Sequence, residues 1–317
     1  MNRPTASKTC LDSAIAPNLR LIMKNDPPDA DAGAVILAGG KSSRMGRPKA
    51  LLPFDGEPLI AHLVRKLESI FPEIVVVAAP EQELPTLPVK IARDDVAYQG
   101  PVSGIYHGLQ TSTKENCFVT SCDAPFLNLT FVSHLLAQIC DVDVVVPFWE
   151  ERFQPLHAVY RTQVAPLLKD QLERGELRPI FLFDKVRTRK VEEDEIRRFD
   201  PEGMSMLNMN SPEEYEAALR LWRAKNSIPV CVELFGVPRM LARTKSVTLE
   251  LAAGATLAQV LSALAEKLPM LAGRVIGAGS LNSGYTCNVN GLDFVRTPNA
   301  KIKSGDKIFI LSADAGG

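Results

Sequence analysis

The sequence predicts a two-domain α/β protein: a doubly wound, mostly parallel Rossmann-like sheet, followed by a small α+β domain of the β-grasp type. Two observations carry this prediction. From Ala34 to about residue 195, short apolar runs typical of buried strands alternate with helical patterns at short spacing, which favours parallel strands joined by helices. From Val230 onward, a single helical pattern stands among strand patterns, two of which flank a hairpin signal at Asn290-Gly291.

The first domain begins with the apolar run Ala34 to Leu37, which predicts a short buried strand broken by a glycine pair. The β-branched run from Ile74 to Ala78 predicts another buried strand, because strands covered on both faces read as continuous apolar runs. Further strands are predicted at 89–92, 117–120 and 142–146, an extended segment at 153–159, and a surface strand and turn over 187–195. Helices are predicted over 58–70, 103–110, 130–139, 163–173 and 211–224.

The second domain is predicted from strands at 230–235, 246–251, 286–289, 292–295 and 307–311, with a turn at Gly236. Thr256 and Gln259 form a capping box at the start of a helix whose apolar residues lie on one face. A similar box, Ser211 with Glu214, opens the last helix of the first domain. A sheet with one packed helix and a central last strand is a β-grasp arrangement.

The domain boundaries follow from where the apolar period stops. Residues 1–31 carry several prolines and no clean period, which predicts a flexible N-terminal extension. The first domain is predicted over residues 32–224 and the second over residues 230–317. Residues 225–229 between them are predicted to be a linker.

Composition argues against several classes of function. The 317 residues include 36 basic and 37 acidic side chains, so charge gives no support to nucleic-acid binding or to a membrane-surface role. No apolar run approaches the roughly 18 residues of a membrane span. The six cysteines form no C-x-x-C pair. We therefore expect no zinc site, and free thiols favour a cytoplasmic location.

The loop after the first strand is the most informative stretch of the chain. The pair Gly39-Gly40 is followed by four cations and no acid, namely Lys41, Arg44, Arg47 and Lys49. Glycine lets main-chain N–H groups approach phosphate oxygens, and the cations neutralise their charge. We expect Arg44 to grip phosphate oxygens bidentately and Lys49 to balance a triphosphate as a point charge. The common P-loop pattern is absent, because Val35 stands where it requires glycine, and a solvated basic turn is the alternative.

A carboxylate is expected beside this loop. Asp123 follows the predicted strand 117–120, so in a parallel sheet it lies at the same edge as Gly39. Magnesium binds one or two carboxylates together with phosphate oxygens, which makes Asp123 the predicted ligand. The alternative is a turn aspartate, since Asp-x-Pro also favours turns. Asn208 and Asn210 stand just before a helix N-terminus, where anions bind.

These motifs together resemble a known signature. Leu37-Ala38-Gly39-Gly40, Ser43-Arg44-Met45-Gly46 and Pro48-Lys49 resemble L-x-G-G-x-S-x-R-M-G-x-x-K of the nucleotidyltransferases related to molybdenum cofactor guanylyltransferase. The resemblance extends to Cys-Asp-Ala-Pro around Asp123 and to N-x-N-S-P-E-E from Asn208, and it covers about residues 33–222. It implies a nucleotidyltransferase A-like fold. It also implies transfer of GMP from magnesium-GTP to the phosphate of molybdopterin (Mo-molybdopterin), with release of pyrophosphate.

The resemblance also implies roles for individual residues. It assigns magnesium to Asp123 and places Asn208 and Asn210 near the acceptor. Asp94 matches the family's nucleotide-contacting aspartate, and Asp95 is a close competitor. The nucleotide-binding residues that it implies, taken with the loop chemistry above, are Leu37, Ala38, Gly39, Gly40, Lys49, Asp94 and Asp123. The catalytic residues predicted on both grounds are Arg44, Lys49 and Asp123.

Two departures from the family pattern leave alternatives open. Ala78 stands where close relatives have an asparagine, which removes one expected contact to guanine. Pro48 stands where an aspartate often precedes the lysine, a variation also seen among cytidylyl-transferring relatives. The pair Gly39-Gly40 favours guanylyl transfer. Cytidylyl transfer and sugar-1-phosphate nucleotidyl transfer remain the alternatives.

The C-terminal end carries a second resemblance. Residues 228–317 end in a short tail that follows the predicted final strand and closes with Gly316-Gly317, and they resemble the ubiquitin-like sulfur-carrier subunit of molybdopterin synthase. A glycine-only end fits a narrow channel in which a Cβ would clash. The resemblance implies a thiocarboxylate at Gly317 and two partners: the large subunit of molybdopterin synthase and an adenylating or sulfurating enzyme. A docking module without an activated tail, or a frayed terminus, is the alternative.

Overall fold

The structure is a computed structural model that describes residues 31–39, 45–94, 100–295 and 297–312. The chain divides into two compact units, the first ending at Tyr215 and the second beginning at Glu216. The predicted N-terminal extension, apart from Asp31, lies outside the described residues, as do Gly40, Arg44, Asp95, Gly316 and Gly317.

The first unit alternates strands and helices. Its strands are β1 (Ala32–Leu37), β2 (Pro53–Phe54), β3 (Glu57–Pro58), β4 (Ile74–Ala78), β5 (Lys90–Arg93), β6 (Asn116–Ser121), β7 (Val144–Trp149), β8 (Arg152–Phe153), β9 (His157–Arg161) and β10 (Thr188–Val191). Its helices are α1 (Leu59–Leu67), α2 (Pro101–Thr111), α3 (Leu129–Ala137), α4 (Ala165–Glu173), α5 (Ile180–Phe183) and α6 (Glu193–Ile196), and α7 (Pro212–Asn226) crosses the boundary between the units.

The central sheet of the first unit confirms the predicted doubly wound, mostly parallel class. Its order is β10-β7-β9-β6-β1-β4-β5, with β8 paired to β7. The middle strand β1 runs parallel to both neighbours, and Leu37 lies in register with Val77 of β4 and Ser121 of β6. The carboxyl ends of these three strands therefore meet at one edge. Strand β9, predicted only as extended chain, is antiparallel to β6 and β7.

Apolar layers cover both faces of this sheet, as the continuous apolar runs require. Ile36, Val76 and Phe118 belong to the layer on one face, and Val35, Val77 and Val119 belong to the other. Glycine sets the approach of α2 to β1. A Cβ added at Gly108 would lie 2.2 Å from Val35 Cγ1, so only glycine lets the helix lie this close to the strand.

The second unit is a small sheet covered by one long helix. Its strands are β11 (Ser227–Leu234), β12 (Ser246–Ala252), β13 (Tyr285–Val289), β14 (Asp293–Phe294) and β15 (Lys307–Ser312), and its helices are α8 (Val237–Ala242) and α9 (Leu257–Lys267). The order is β12-β11-β15-β13-β14, with the last strand central and parallel to β11. The Thr256–Gln259 capping box is present at α9. The predicted β-grasp class is confirmed.

Several local features differ from the predictions. The predicted linker over 225–229 is regular structure instead, because α7 continues to Asn226 and β11 starts at Ser227. The turn predicted at Gly236 leads into α8. The second arm of the hairpin, predicted over 292–295, shortens to β14, whose residues are exposed and bury no apolar face.

Helix α2 begins at Pro101, two residues before its predicted start, because proline fits the first turn of a helix. In the described part of the chain, no helix has the length and apolar character that crossing a bilayer requires.

Candidate active site

A pocket of about 580 Å³ lies at the edge where β1, β4 and β6 end. We call it the strand-end pocket. The predicted residues that line it are Leu37, Ala38, Gly39, Lys49, Asp94, Asp123, Asn208 and Asn210. These residues come from five separate segments of the chain, so their convergence is a property of the fold. Gly40 and Arg44, also predicted here, lie outside the described residues.

Lys49 and Asp123 form the charged centre of the strand-end pocket. Lys49 Nζ donates to Asp123 Oδ2 at 2.6 Å and to Asn210 Oδ1 at 2.9 Å. The Asp123 side chain is 15% exposed and that of Lys49 is 18% exposed, so the pair is half-buried and still open to the pocket. The Ser121 hydroxyl donates to the second carboxylate oxygen, Asp123 Oδ1, at 2.5 Å.

The main chain holds the elements of this centre in place. Cys122 N donates to Leu37 O at 2.9 Å, which joins the end of β6 to the end of β1. Met209 N donates to Asp123 O at 3.1 Å, which ties the Asn208–Asn210 segment to the turn that carries the aspartate. Glu214 Oε2 accepts from Asn210 N and Ser211 N, and Ser211 Oγ accepts from Glu214 N, so the predicted capping box is present.

Asp94 lies on the other side of the strand-end pocket. It is 9% exposed, its main-chain N–H donates to Ala78 O at 3.0 Å, and the Ser103 hydroxyl lies 3.4 Å from Oδ1. A Cβ placed on Gly39 would lie 3.9 Å from Asp94 Oδ2 and 3.7 Å from Ala79 N, both ordinary contacts. Packing within the protein therefore does not by itself require glycine at position 39.

Gln82 is a residue of this region that the sequence reasoning missed. Its side-chain amide donates to Ala38 O at 2.8 Å and accepts from Ala79 N at 3.2 Å. Arg93 donates to Ala79 O at 2.8 Å and to Gln82 O at 2.7 Å. Gln82 and Arg93 thus brace the main-chain segments of β1 and β4 that line the pocket. No local pattern marks Gln82, because its partners are main-chain groups and one of them, Ala38 O, is 44 residues away.

Ser121 is the second residue that the sequence reasoning missed, although its position in the sequence could have indicated a contact with Asp123. It stands two residues before Asp123 at the end of a strand, a spacing that brings its hydroxyl to the carboxylate. Cys122 between them is buried, and burial raises the pKa of its thiol to about 12, with the Asp123 carboxylate adding to the rise. A thiol with this pKa stays protonated and is unsuited to act as a nucleophile.

The donor set of the strand-end pocket fits a divalent cation that is shared with a substrate. Within the described residues, no group of three or more His, Cys, Asp and Glu side chains is placed to hold a metal by itself. Asp123 presents a carboxylate to the pocket and already carries a cation, the Lys49 ammonium, on one oxygen. Magnesium commonly takes one or two carboxylates and completes its shell with phosphate oxygens and water.

Comparison with known protein families gives two matches. The family model for the MobA-like NTP transferase domain matches residues 34–188, and that for the ThiS family matches residues 232–317. The first match contains Lys49, Asp94 and Asp123. The second contains the end of β11 and the strands β12 to β15 of the second unit.

Curated relatives match the first unit along most of their own length. A probable molybdenum cofactor guanylyltransferase of Methanosarcina mazei is 35% identical over 198 residues, which are 58% of this chain and 88% of the relative. The molybdenum cofactor guanylyltransferase of Desulfosudis oleivorans is 33% identical over 192 residues, 60% of this chain and 95% of the relative.

Among solved structures, molybdopterin-guanine dinucleotide biosynthesis protein A of Archaeoglobus fulgidus is similar with a TM-score of 0.52 and 21% identity. The match covers 61% of this chain and 99% of that one, and it supports the fold of the first unit.

Proposed function

The chain belongs to the molybdenum cofactor guanylyltransferase family, and from this membership we propose that its first unit transfers GMP from magnesium-GTP to the phosphate of molybdopterin. In this reaction an oxygen of the acceptor phosphate forms a bond to the α-phosphorus of GTP. The bond from that phosphorus to the α,β-bridging oxygen breaks, and pyrophosphate leaves with the electron pair. The product is the guanine dinucleotide form of the cofactor.

The observation that carries the proposal is the Lys49–Asp123 pair in a pocket at the carboxyl ends of parallel strands. In open α/β sheets, ligands bind at this edge. Nucleotidyl transfer asks the protein mainly for in-line positioning and for neutralisation of phosphate charge. The Lys49 ammonium supplies a positive charge for the phosphates, and the Asp123 carboxylate supplies a negative charge for a metal.

The residues divide this work between them. Lys49 is assigned to the triphosphate, with Arg44 as a second cation, and Asp123 to magnesium. Magnesium, when bound, would neutralise charge on the phosphate oxygens and on the leaving pyrophosphate. Main-chain groups of Leu37, Ala38, Gly39 and Gly40, together with Asp94, are assigned to the nucleotide. The brace that Gln82 forms on Ala38 and Ala79 supports a rigid wall on that side.

The acceptor is assigned to the side of the pocket that Asn208 and Asn210 line. Both stand in the segment that leads into α7, and the dipole at the N-terminus of a helix favours anions. Asn210 also accepts a hydrogen bond from Lys49, which links the acceptor side to the triphosphate side.

The test is dinucleotide formation by the Asp123→Ala variant with GTP and molybdopterin. We expect formation to be lost while the variant stays folded. Undiminished formation would refute the metal role of Asp123. A thermal-shift panel of GTP, CTP, ATP and UTP with magnesium separates the alternatives, because a ligand stabilises the folded state according to its affinity. A CTP preference would indicate cytidylyl transfer, and product formation from a sugar 1-phosphate would indicate the third class.

For the second unit we infer a sulfur carrier that acts through a C-terminal thiocarboxylate. The ThiS family match and the position of β15 as central final strand, separated by three residues from the glycine pair in the sequence, support this inference. The large subunit of molybdopterin synthase and an adenylating or sulfurating enzyme are the proposed partners. The free cysteines of the described chain suit a reducing compartment, so we place the protein in the cytoplasm.

Mass spectrometry of the intact chain tests the carrier function. We expect a species in which sulfur replaces one oxygen of the terminal carboxylate, and deletion of Gly316-Gly317 should abolish it. Sulfur transfer that persists after the deletion would contradict the inference. A docking module would bind the same partners without any change of mass.

A further inference from the structure

The Asp123 carboxylate holds a cation and a hydroxyl donor from its own chain. The Lys49 ammonium is 2.6 Å from Oδ2, and the Ser121 hydroxyl is 2.5 Å from Oδ1. A metal on Oδ2 would take the place of the ammonium. A metal on Oδ1 would face the ammonium across one carboxyl group, where like charges repel in a half-buried site. Lys49 and a divalent cation therefore compete for Asp123.

The geometry also shows where Lys49 can go. Its second hydrogen-bond acceptor, Asn210 Oδ1 at 2.9 Å, lies on the side of the strand-end pocket that we assign to the acceptor substrate. The Asn210 main chain is fixed by its bond to Glu214, and the neighbouring Met209 is fixed by its bond to Asp123 O. The main chain around Asn210 is thus held, which keeps its side-chain amide within reach of Lys49. Lys49 can keep this bond while its ammonium swings from the carboxylate to an anion in the pocket.

We propose that Asp123 carries one cation at a time: Lys49 when the pocket holds no nucleotide, and a divalent metal once a triphosphate offers Lys49 another anion. Ser121 is a positioning residue in this exchange, because its hydroxyl holds the carboxylate in one orientation while the partner on Oδ2 changes. The identity of the triphosphate rests on the proposed function. The competition between Lys49 and the metal rests only on the contacts around Asp123.

The exchange has a consequence for the order of binding. Without nucleotide, a free divalent cation must displace an ammonium that gains no new anion, so it binds weakly. With nucleotide, the phosphates bind both the metal and Lys49, and the cost of separating Lys49 from Asp123 is offset. Metal and triphosphate therefore enter as a pair, since each favours the binding of the other.

The test measures the affinity of the full chain for Mn²⁺ in the absence of nucleotide. Electron paramagnetic resonance reports the concentration of unbound Mn²⁺ in each titration. Lys49→Met removes the competing charge, and Lys49→Gln removes it while keeping a polar side chain for Asn210. We expect both variants to bind Mn²⁺ on the order of tenfold more tightly than the wild type, within the roughly 5- to 150-fold range of such couplings. Lys49→Arg keeps the charge and should bind as weakly as the wild type.

Two controls locate the effect. Adding Asp123→Asn to Lys49→Gln should abolish the gain in Mn²⁺ affinity. Lys90→Met breaks another lysine–carboxylate pair, Lys90 with Glu73 at 2.5 Å, and should leave Mn²⁺ affinity at the wild-type value. Equal affinities for wild type, Lys49→Met and Lys49→Gln would overturn the exchange. A gain that survives Asp123→Asn would overturn it as well.

The outcome is independent of the proposed function. Mn²⁺ affinity without nucleotide is measured with no substrate present, so a protein that failed to transfer GMP would still show or lack the competition. Conversely, Asp123-dependent GMP transfer together with unchanged Mn²⁺ affinity in the Lys49 variants would leave guanylyl transfer standing and remove the exchange.

Discussion

The two ends of the central sheet each carry a carboxylate bonded to a lysine and to a hydroxyl, but they differ in how fully each carboxylate is used. At the amino end, Glu73 accepts from Ser112 Oγ, Thr113 N, Thr113 Oγ1 and Lys90 Nζ at 2.5 to 2.8 Å. At the carboxyl end, the described donors to the Asp123 carboxylate are Ser121 and Lys49, and the group faces a pocket of about 580 Å³.

This difference explains why a lysine–carboxylate pair is structural at the amino end and available to a ligand at the carboxyl end. Glu73 joins β4, β5 and the end of α2 with four hydrogen bonds, which leaves its oxygens little capacity for a ligand. Burial alone would raise the pKa of Glu73, but the hydrogen bonds from Lys90, Ser112 and Thr113 outweigh it and lower the pKa to about 2. The Asp123 carboxylate can accept further contacts, and the strand-end pocket gives a ligand room to reach it. A lysine–carboxylate pair indicates function only where its surroundings leave room for exchange.

The largest effect is expected when the exchangeable carboxylate is neutralised. Asp123→Asn keeps the shape but removes the charge, and kcat/KM for GMP transfer should fall by about two to three orders of magnitude, equivalent to about 3 to 4 kcal/mol. Steady-state assays with GTP and molybdopterin measure this loss. The thermal midpoint should change little, and a drop in midpoint that parallels the drop in activity would mean that Asp123 is structural, like Glu73.

At the amino end of the sheet we expect the opposite pattern: a loss of stability without a loss of activity. Glu73→Ala leaves the donors on β5 and at the end of α2 without their acceptor and should lower the free energy of unfolding by about 2 to 4 kcal/mol, with kcat/KM unchanged. Urea denaturation measures the first quantity. If Glu73→Ala also lowers kcat/KM under conditions where the variant is fully folded, then Glu73 contributes to the function of the carboxyl end and the contrast between the two ends fails.

The same variant has a pH signature. Because the pKa of Glu73 is about 2 in the folded protein and near 4.5 in the unfolded chain, its stabilising contribution is present above pH 4.5 and is lost as the pH falls toward 2. The difference in stability between wild type and Glu73→Ala should therefore shrink over that window. A difference that is constant with pH would mean that the charge of Glu73 contributes nothing.

A third prediction concerns a buried polar group near the carboxyl end of the sheet. His157 on β9 pairs with Thr120 in the ladder and is 3% exposed, and neither ring nitrogen has a hydrogen-bond partner among the described residues. Burial lowers its pKa to about 4. His157→Phe should keep the stacking on Phe131 and raise the free energy of unfolding by about 1 to 3 kcal/mol, because an unsatisfied buried polar group is removed.

The pH dependence of this gain follows from linkage. The unfolded chain protonates His157 near pH 6.5 and the folded protein only near pH 4, so the wild type loses stability as the pH falls from 6.5 to 4. His157→Phe should flatten that slope in thermal melts. His134 is the matched control, because its Nε2 lies 2.7 Å from Glu195 Oε1, and His134→Phe should lower stability. An unaltered slope in His157→Phe would contradict the prediction.

The smallest effect is expected from the hydroxyl groups at the two ends. Ser121→Ala removes one hydrogen bond that orients Asp123, and kcat/KM should fall by about fivefold, or about 1 kcal/mol, with little change in stability. Ser112→Ala removes the equivalent hydroxyl from Glu73, and it should lower stability by a similar amount without changing kcat/KM. If the two variants behave alike in both measurements, the contrast between the ends fails.

Much of the fold was predictable from local pattern. The β-branched run at β4, the short strand β1 and the two capping boxes each depend on interactions within a few residues, and the structure confirms them. The antiparallel direction of β9 was not predictable, since it depends on which distant strand it joins. Helix α8 was missed because Gly236 reads as a turn, although Pro238 suits the first turn of a helix.

The candidate site divides in the same way. Lys49, Asp94 and Asp123 carry recognisable chemistry in recognisable motifs, and they were named from the sequence. Gln82 was not, because it acts on the main chain of Ala38 and Ala79, and main-chain partners leave no trace in side-chain patterns.

The sequence by itself determined the order of strands and helices, the glycine-rich cationic loop and the identity of the charged residues, because periodicity, capping and residue chemistry are local properties. Only the tertiary structure decided that Lys49 lies on Asp123, that Ser121 and Asn210 share its contacts, and that Glu73 is saturated while Asp123 is not. The physical reason is distance along the chain. Lys49 and Asp123 are 74 residues apart. Only the parallel register of β1 with β6 brings the carboxyl ends of these two strands, and the segments that follow them, to one edge of the sheet.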